Sequence, residues 1–275
     1  MKFIEVKGAR VPALGFGTWP LNGADCARAV RDAIEVGYRH IDTAQNYGNE
    51  AEVGKGIAQS DIARAELWVT TKLSRGNLTA KEVARSTDES LTKLGLDHLD
   101  LLLIHWPSRT VPLAETLGAM TKLRDAGKTR FIGVSNFTTK LLDEATKDAD
   151  IICDQVEYHP FLSQRAVLGA VKKHGLFLTA YSPVARGRVP NDKRLQTIGT
   201  KYGKTAAQVA LRWLIEQDNV GAIPKAGSRA HMQANIDIFD FALAPEDRAA
   251  IDALGSGDGR IVDIAGWSPD WDRAH

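Results

Sequence analysis

The chain is poor in the features that would make it a stapled, membrane-spanning or nucleic-acid-binding protein. It has two cysteines in 275 residues, Cys26 and Cys153, and no CxxC pair. A disulfide framework is thereby excluded, and a reducing cytoplasm is the expected setting. No apolar run approaches the roughly 20 residues that cross a bilayer, and the opening MKFIEVKGARVP lacks the apolar core of a signal peptide. Lys plus Arg (35) and Asp plus Glu (34) nearly cancel, which leaves no global field for nucleic acid or an anionic membrane. The expected partner is a small molecule recognised by a site, and the chain is expected to act as a monomer. No Pro/Ser-rich linker or low-complexity block interrupts it, so 1–275 reads as one domain.

What the chain does have is alternation. A β-hairpin is expected around Lys7 and Gly8, between FIEV and RVPAL. Eight strand-like runs then follow: LGFGT, HIDTA, LWVTTK, LDLLLIHW, RFIGVSN, IICDQVEYH, LFLTAYSPV and VGAIPKA, separated by segments with helical spacing. Continuous apolar strands imply burial on both faces, and the βα alternation implies a parallel sheet. The expected fold is α/β, a single (β/α)8 TIM barrel, with a doubly wound open sheet as its rival. Near the end, FALAPEDRAAIDALGSGDGR predicts an extra helix opened by Pro245, and IVDIAGWSPDWDRAH reads as a tail.

Polar residues that end apolar strands draw attention, because catalytic groups of parallel barrels collect at the carboxyl ends of the strands. Asp42 ends the second run, Tyr47 lies in the loop after it, Lys72 ends the third and His105 the fourth. Singly each has an ordinary explanation: a turn-capping Asp, a snorkelling Lys, a hydrogen-bonded core His. Together they compose an acid–base phenol beside a cation held by a carboxylate. A buried Lys72 is expected to lower the Tyr47 pKa from about 10, with Asp42 keeping Lys72 charged. His40 and His159, beside Asp42 and Glu157, lack metal-ligand spacing and read as structural. Cys153 reads as a small core residue. GFGTWP imitates a dinucleotide fingerprint through Gly15 and Gly17, but Pro20 stands where a third glycine belongs.

These residues resemble the aldo-keto reductases over almost the whole chain. GYRHIDTAQNYGNE resembles the family's signature around its catalytic Asp and Tyr, TKL its Lys strand and DLLLIHWP its His strand; GVSNF, QVEYHP, YSP and IPKAG follow in the family's order. The resemblance implies Tyr47 as proton donor, Lys72 and Asp42 as its tuning pair and His105 as the group orienting a carbonyl. It implies hydride transfer from NADPH, with NADH also used, to a small aldehyde or ketone. Ser135, Asn136 and Gln155 should hold the nicotinamide carboxamide and Tyr181 should stack on its ring, with Ser182 beside it. Val184, Ala185 and Gly187, in a loop that is short beside those of some relatives, should clasp the pyrophosphate lightly. Thr18 is placed at the cofactor, and Trp19, Trp106 and Trp267, or Trp271, at the substrate.

The pattern departs after the eighth strand, in IPKAGSRAHMQAN. The family's usual 2′-phosphate clamp keeps Lys225, but Ala226 replaces a hydroxyl, His231 stands in the Arg position and Ala234 precedes Asn235 where an acid or amide is usual. Histidine offers phosphate less charge and fewer donors than arginine. The preference for NADPH over NADH is therefore expected to be reduced, with Ser228 and Arg229 restoring part of the contact. The short loops and tail look most like the small bacterial members, among them the 2,5-diketo-D-gluconate and methylglyoxal reductases. Two other classes stay open: a regulatory subunit that senses nicotinamide cofactor, and a barrel hydrolase pairing Asp42 with Asp154 or Glu157.

Overall fold

In the computed structural model, which describes residues 1–272, the chain begins with an antiparallel hairpin of β1 (Phe3–Val6) and β2 (Ala9–Pro12). Lys7 and Gly8 turn it with φ of 45° and 79°, as a tight two-residue hairpin requires. Lys7 Nζ reaches the Asp150 carboxylate and the Ile151 carbonyl, and Lys2 Nζ the Ile215 carbonyl. These partners all precede strands. The hairpin therefore closes the amino-terminal end of the sheet and leaves its carboxyl end open.

Eight parallel strands form the body: β3 (Phe16–Gly17), β4 (His40–Asp42), β5 (Trp68–Leu73), β6 (Leu99–Ile104), β7 (Thr129–Ser135), β8 (Cys153–Glu157), β9 (Phe177–Tyr181) and β10 (Val220–Ala222). They pair strictly in sequence order. The ring closes where Gly15 N donates to Ala222 O (2.8 Å), Ala222 N to Ala13 O (2.8 Å) and Gly17 N to Pro224 O (3.1 Å). A Cβ on Gly17 would lie 2.8 Å from the Ile223 carbonyl, and one on Gly15 2.8 Å from the His40 ring. The glycines that imitate a dinucleotide fingerprint thus serve the seam of a barrel, and the open-sheet alternative falls with them.

Every residue of β5, β6 and β8 is buried, because barrel packing covers one face and helices the other. The helical layer comprises α1 (Gly23–Val36), α2 (Glu50–Ala58), α3 (Ala80–Leu94), α4 (Leu113–Asp125), α5 (Thr139–Asp148), α6 (Arg165–Lys173), α7 (Lys193–Tyr202), α8 (Ala206–Glu216) and α9 (Arg229–Ile236). Two helices connect β9 to β10: Gly203, at φ 65°, stops α7, and a capping box of Thr205 and Gln208 starts α8. The expected extra helix is α10 (Pro245–Asp252), with Pro245 at its first turn and Glu246 and Asp247 beside it. The tail then crosses the open end, its last three residues lying outside the described ones. Among the described residues no helix is long and apolar enough to cross a membrane.

Candidate active site

The floor of the open end is built from three strands. Asp42 ends β4, Lys72 projects from β5, and Gln155 reaches across from β8. Lys72 Nζ donates to Asp42 Oδ1 (2.5 Å) and to the Thr43 carbonyl (2.7 Å), while Gln155 Nε2 donates to Asp42 Oδ2 (2.7 Å). Lys72 is 0% exposed and Asp42 1%, so each charge depends on the other for its counter-ion. Burial holds the ammonium below the usual lysine range, with Asp42 opposing that shift. Thr18 has no exposed surface; its hydroxyl and amide donate to the Asp42 carbonyl at 3.0 and 3.1 Å and brace the same floor.

Tyr47 ends a single 3-10 turn, Gln45–Tyr47, that Gly48 closes in the left-handed region. Its ring lies 5.6 Å from that of His105 at 77°, 5.1 Å from Lys72 Nζ and 6.2 Å from the ring of Trp19. One expectation is overturned here. Burial first, then the Asp42 charge, push the phenol well above its usual value, and this outweighs the Lys72 ammonium 5.1 Å from the ring. Tyr47 is therefore a phenol that keeps its proton. Burial and then the Lys72 charge hold His105 well below the usual histidine range, so the imidazole is neutral, with a buried Nδ1 that has no hydrogen-bond partner among the described residues.

Ser135, Asn136, Gln155 and Tyr181 meet beside this group. Ser135 Oγ donates to the Gln155 carbonyl (2.7 Å), Asn136 Nδ2 to the His105 carbonyl (2.9 Å) and Ser135 Oγ (3.1 Å), and Tyr181 OH to Asn136 Oδ1 (2.8 Å). Asn136 and Ser182 stand at φ 63° and 50°, strained positions of a kind that clusters at functional sites. After Val184, the residues Ala185, Arg186 and Gly187 take φ of 49°, 48° and 94° in succession. The N–H groups of Ala185, Gly187 and Arg188 donate to the carbonyls of Ser182 (2.8 Å), Val184 (3.2 Å) and Ala185 (3.0 Å), so the loop is a self-bonded turn, more shaped than its length suggests. Arg186, at its centre and exposed, went unremarked in the sequence because its backbone conformation carries no sequence signature.

Beyond β10, Lys225 is exposed and Ala226 buried. The Ser228 hydroxyl caps α9 by accepting from His231 N (3.3 Å), and Arg229 pairs with Glu35 of α1 (2.6 Å). His231 is exposed and Asn235 half-buried. The other wall is aromatic: Trp106 is buried, with Trp267 at 6.4 Å and Trp271 at 6.2 Å, both edge-on, while Trp19 is 53% exposed at the rim. The tail carrying the last two tryptophans is held by Glu157, whose oxygens accept from Ile261 N and Val262 N at 2.7 Å each, and by Arg75, which donates to the Gly266 carbonyl.

The same bonds dispose of the hydrolase alternative. Asp42 is engaged on both oxygens, Glu157 is engaged by the tail and by His159 (2.9 Å), and burial raises Asp154 well above the carboxylate range. His40 is buried against the Thr70 hydroxyl, and burial pushes the Cys153 thiol up, away from thiolate. A nicotinamide ring fits the remaining features: amide and hydroxyl groups on adjoining strand ends and a half-buried tyrosine beside them.

Comparison with known proteins points the same way. The aldo/keto reductase family profile matches residues 13–256. The chain is 39% identical over 267 residues to the methylglyoxal reductase DkgB of Escherichia coli O157:H7, covering 95% of this chain and 99% of that protein. It is 38% identical over 282 residues to the morphine 6-dehydrogenase of Pseudomonas putida, covering 95% of each. A crystal structure provisionally described as a 2,5-diketo-D-gluconic acid reductase B superimposes with a TM-score of 0.97 at 48% identity, over 99% of this chain and 98% of that one. A Bombyx mori aldo-keto reductase in complex with NADP gives 0.91 at 34% identity, over 98% of each. The chain belongs to the aldo/keto reductase family, whose members are NAD(P)H-dependent carbonyl oxidoreductases.

Proposed function

We propose that this chain reduces a small polar aldehyde or ketone to the alcohol, with Tyr47 as proton donor and His105 as the group that orients the carbonyl. The observation that carries the reading is the protonated Tyr47 phenol packed against a neutral His105 imidazole, directly over the buried Lys72–Asp42–Gln155 chain. The bound nicotinamide supplies the hydride. Charge then develops on the carbonyl oxygen, where the Tyr47 hydroxyl delivers its proton and His105 donates a hydrogen bond. The Lys72 ammonium stabilises the phenolate left behind until solvent returns the proton. Ser135, Asn136 and Gln155 offer groups to the carboxamide, and Tyr181 offers its ring to the nicotinamide, which fixes the face presented to substrate.

Cofactor choice rests on Lys225 and the first turn of α9. With Ala226 and His231 in place of a hydroxyl and an arginine, and Arg229 drawn to Glu35, the adenosine 2′-phosphate meets a weak clamp, so NADPH is used and NADH also. The substrates named for the relatives, methylglyoxal and 2,5-diketo-D-gluconic acid, support a small polar dicarbonyl.

The test is fluorescence titration with NADPH and with NADH, then addition of methylglyoxal while nicotinamide absorbance is followed. Binding of both cofactors followed by turnover is expected. Binding without turnover across a panel of aldehydes would favour a cofactor-sensing subunit, and absence of binding would sink both readings.

A further inference from the structure

Asn49 stands at the residue that opens α2, where an asparagine ordinarily turns its side chain to the first free N–H groups of the helix. Here it makes no such bond. Its carboxamide is 0% exposed and turned the other way: Oδ1 accepts from the Thr43 hydroxyl (2.7 Å), and Nδ2 donates to the carbonyls of Leu21 (2.8 Å) and Thr18 (3.3 Å). Both amide hydrogens and the carbonyl oxygen are thereby used.

Those three partners belong to the parts that Tyr47 must face. Thr43 supplies the main-chain oxygen that receives Lys72 Nζ. Thr18 is bonded twice to the Asp42 carbonyl. Thr18 and Leu21 flank Trp19, whose ring lies against Tyr47. On the other side of the turn, Gln45 Oε1 accepts from Ser74 N (2.8 Å) and Asn77 Nδ2 (2.9 Å), which holds the turn against the loop after β5. Asn49 is the link toward the floor and the wall.

We infer that Asn49, two residues after Tyr47, is a positioning residue: it fixes the proton-donor turn and the Trp19 wall relative to the buried ammonium, acting on proton delivery and not on cofactor affinity. This rests on the carbonyl-reductase reading above. Misplacement of a donor by a fraction of an ångström weakens proton transfer steeply, whereas Lys225, His231 and the turn at Ala185 lie on other elements.

The experiment measures the single-turnover rate of methylglyoxal reduction and NADPH affinity in wild type, Asn49→Ala, Thr43→Val and Thr43→Ser, with a thermal melt of each. Asn49→Ala should slow reduction roughly 10- to 100-fold while NADPH affinity changes less than about twofold. Thr43→Val removes only the hydroxyl given to Asn49, keeping the carbonyl that holds Lys72, and should reproduce part of the loss. Thr43→Ser should restore it. Should Asn49→Ala not fold, the Thr43 pair carries the test. Undiminished rates in the variants, or rate and cofactor affinity lost together in step with the melt, overturn the inference and leave the reductase reading standing. A wild type that binds NADPH and reduces nothing overturns both.

Discussion

Two charged regions serve this cleft, and they are built differently. At the floor, Asp42 and Lys72 are almost wholly buried, and the carboxylate oxygens are taken by donors from two other strands. After β10, Lys225, Ser228, Arg229 and His231 are all exposed, and the one ion pair among them, Arg229 with Glu35, is about half exposed on both sides. Charges in a dry interior interact strongly and are costly to leave unpaired, whereas exposed charges are screened and nearly interchangeable. On the function proposed above, the difference implies that the chemistry is fixed by the floor, while the choice between two cofactors can drift at the rim without disturbing it.

Breaking the floor should give the largest effects. Tyr47→Phe removes the transferable proton and leaves the packing, so reduction should fall about 10²- to 10⁴-fold with NADPH binding intact; retained turnover in a stopped-flow assay would overthrow the donor assignment. The pH dependence has a definite sign. Since burial and Asp42 both raise the phenol pKa, Tyr47 holds its proton through neutral and mildly alkaline solution. Single-turnover reduction should then stay level from about pH 6 to about pH 9. A decline centred inside that window would show that Lys72 outweighs burial after all.

Asp42→Ala tests the pair beneath. It leaves the Lys72 ammonium with no carboxylate within 4 Å among the described residues, Glu50 attracting it only from further off, which should lower the unfolding free energy by about 3–5 kcal/mol. Urea denaturation measures this directly. A loss below about 1 kcal/mol, the range of an exposed pair, would mean that water reaches the floor and that the contrast between the two regions is weaker than the geometry indicates.

The floor was also the more legible region in the sequence. A barrel strand is covered on both faces, so LWVTTKL and LDLLLI stand out as apolar runs, and a Lys or His that ends one is conspicuous. The two-helix connection between β9 and β10 was less visible, because Gly203 and the Thr205 cap lie within one continuous helical pattern. Contacts across the chain left no local trace: Gly15 meets Ala222 at the seam, and Glu157 holds Ile261 and Val262 more than 100 residues away. Asn49 occupies a helix-cap position, and only its inward rotation reveals its partners. The Tyr47 phenol lies above its usual range and not below it: sequence shows that a cation is near but not that burial, and then the Asp42 charge, outweigh it.

The smallest effect is expected at the rim, where it sharpens the comparison most. His231 lies in the first turn of α9, an end that already favours negative charge through its free N–H groups. Arginine there would add a bidentate donor of permanent charge for the 2′-phosphate, without touching Asp42, Lys72 or Tyr47. His231→Arg should therefore tighten NADPH by about 1–3 kcal/mol, leave NADH nearly unchanged, and leave the single-turnover rate with either cofactor as it was. The gain should also shrink as ionic strength rises, since the contact is exposed. Fluorescence titration at low and high salt measures the affinities, and stopped-flow reduction measures the rate. Equal tightening of both cofactors would show that position 231 touches the shared adenosine and not the phosphate, while an altered rate would show that rim and floor are coupled.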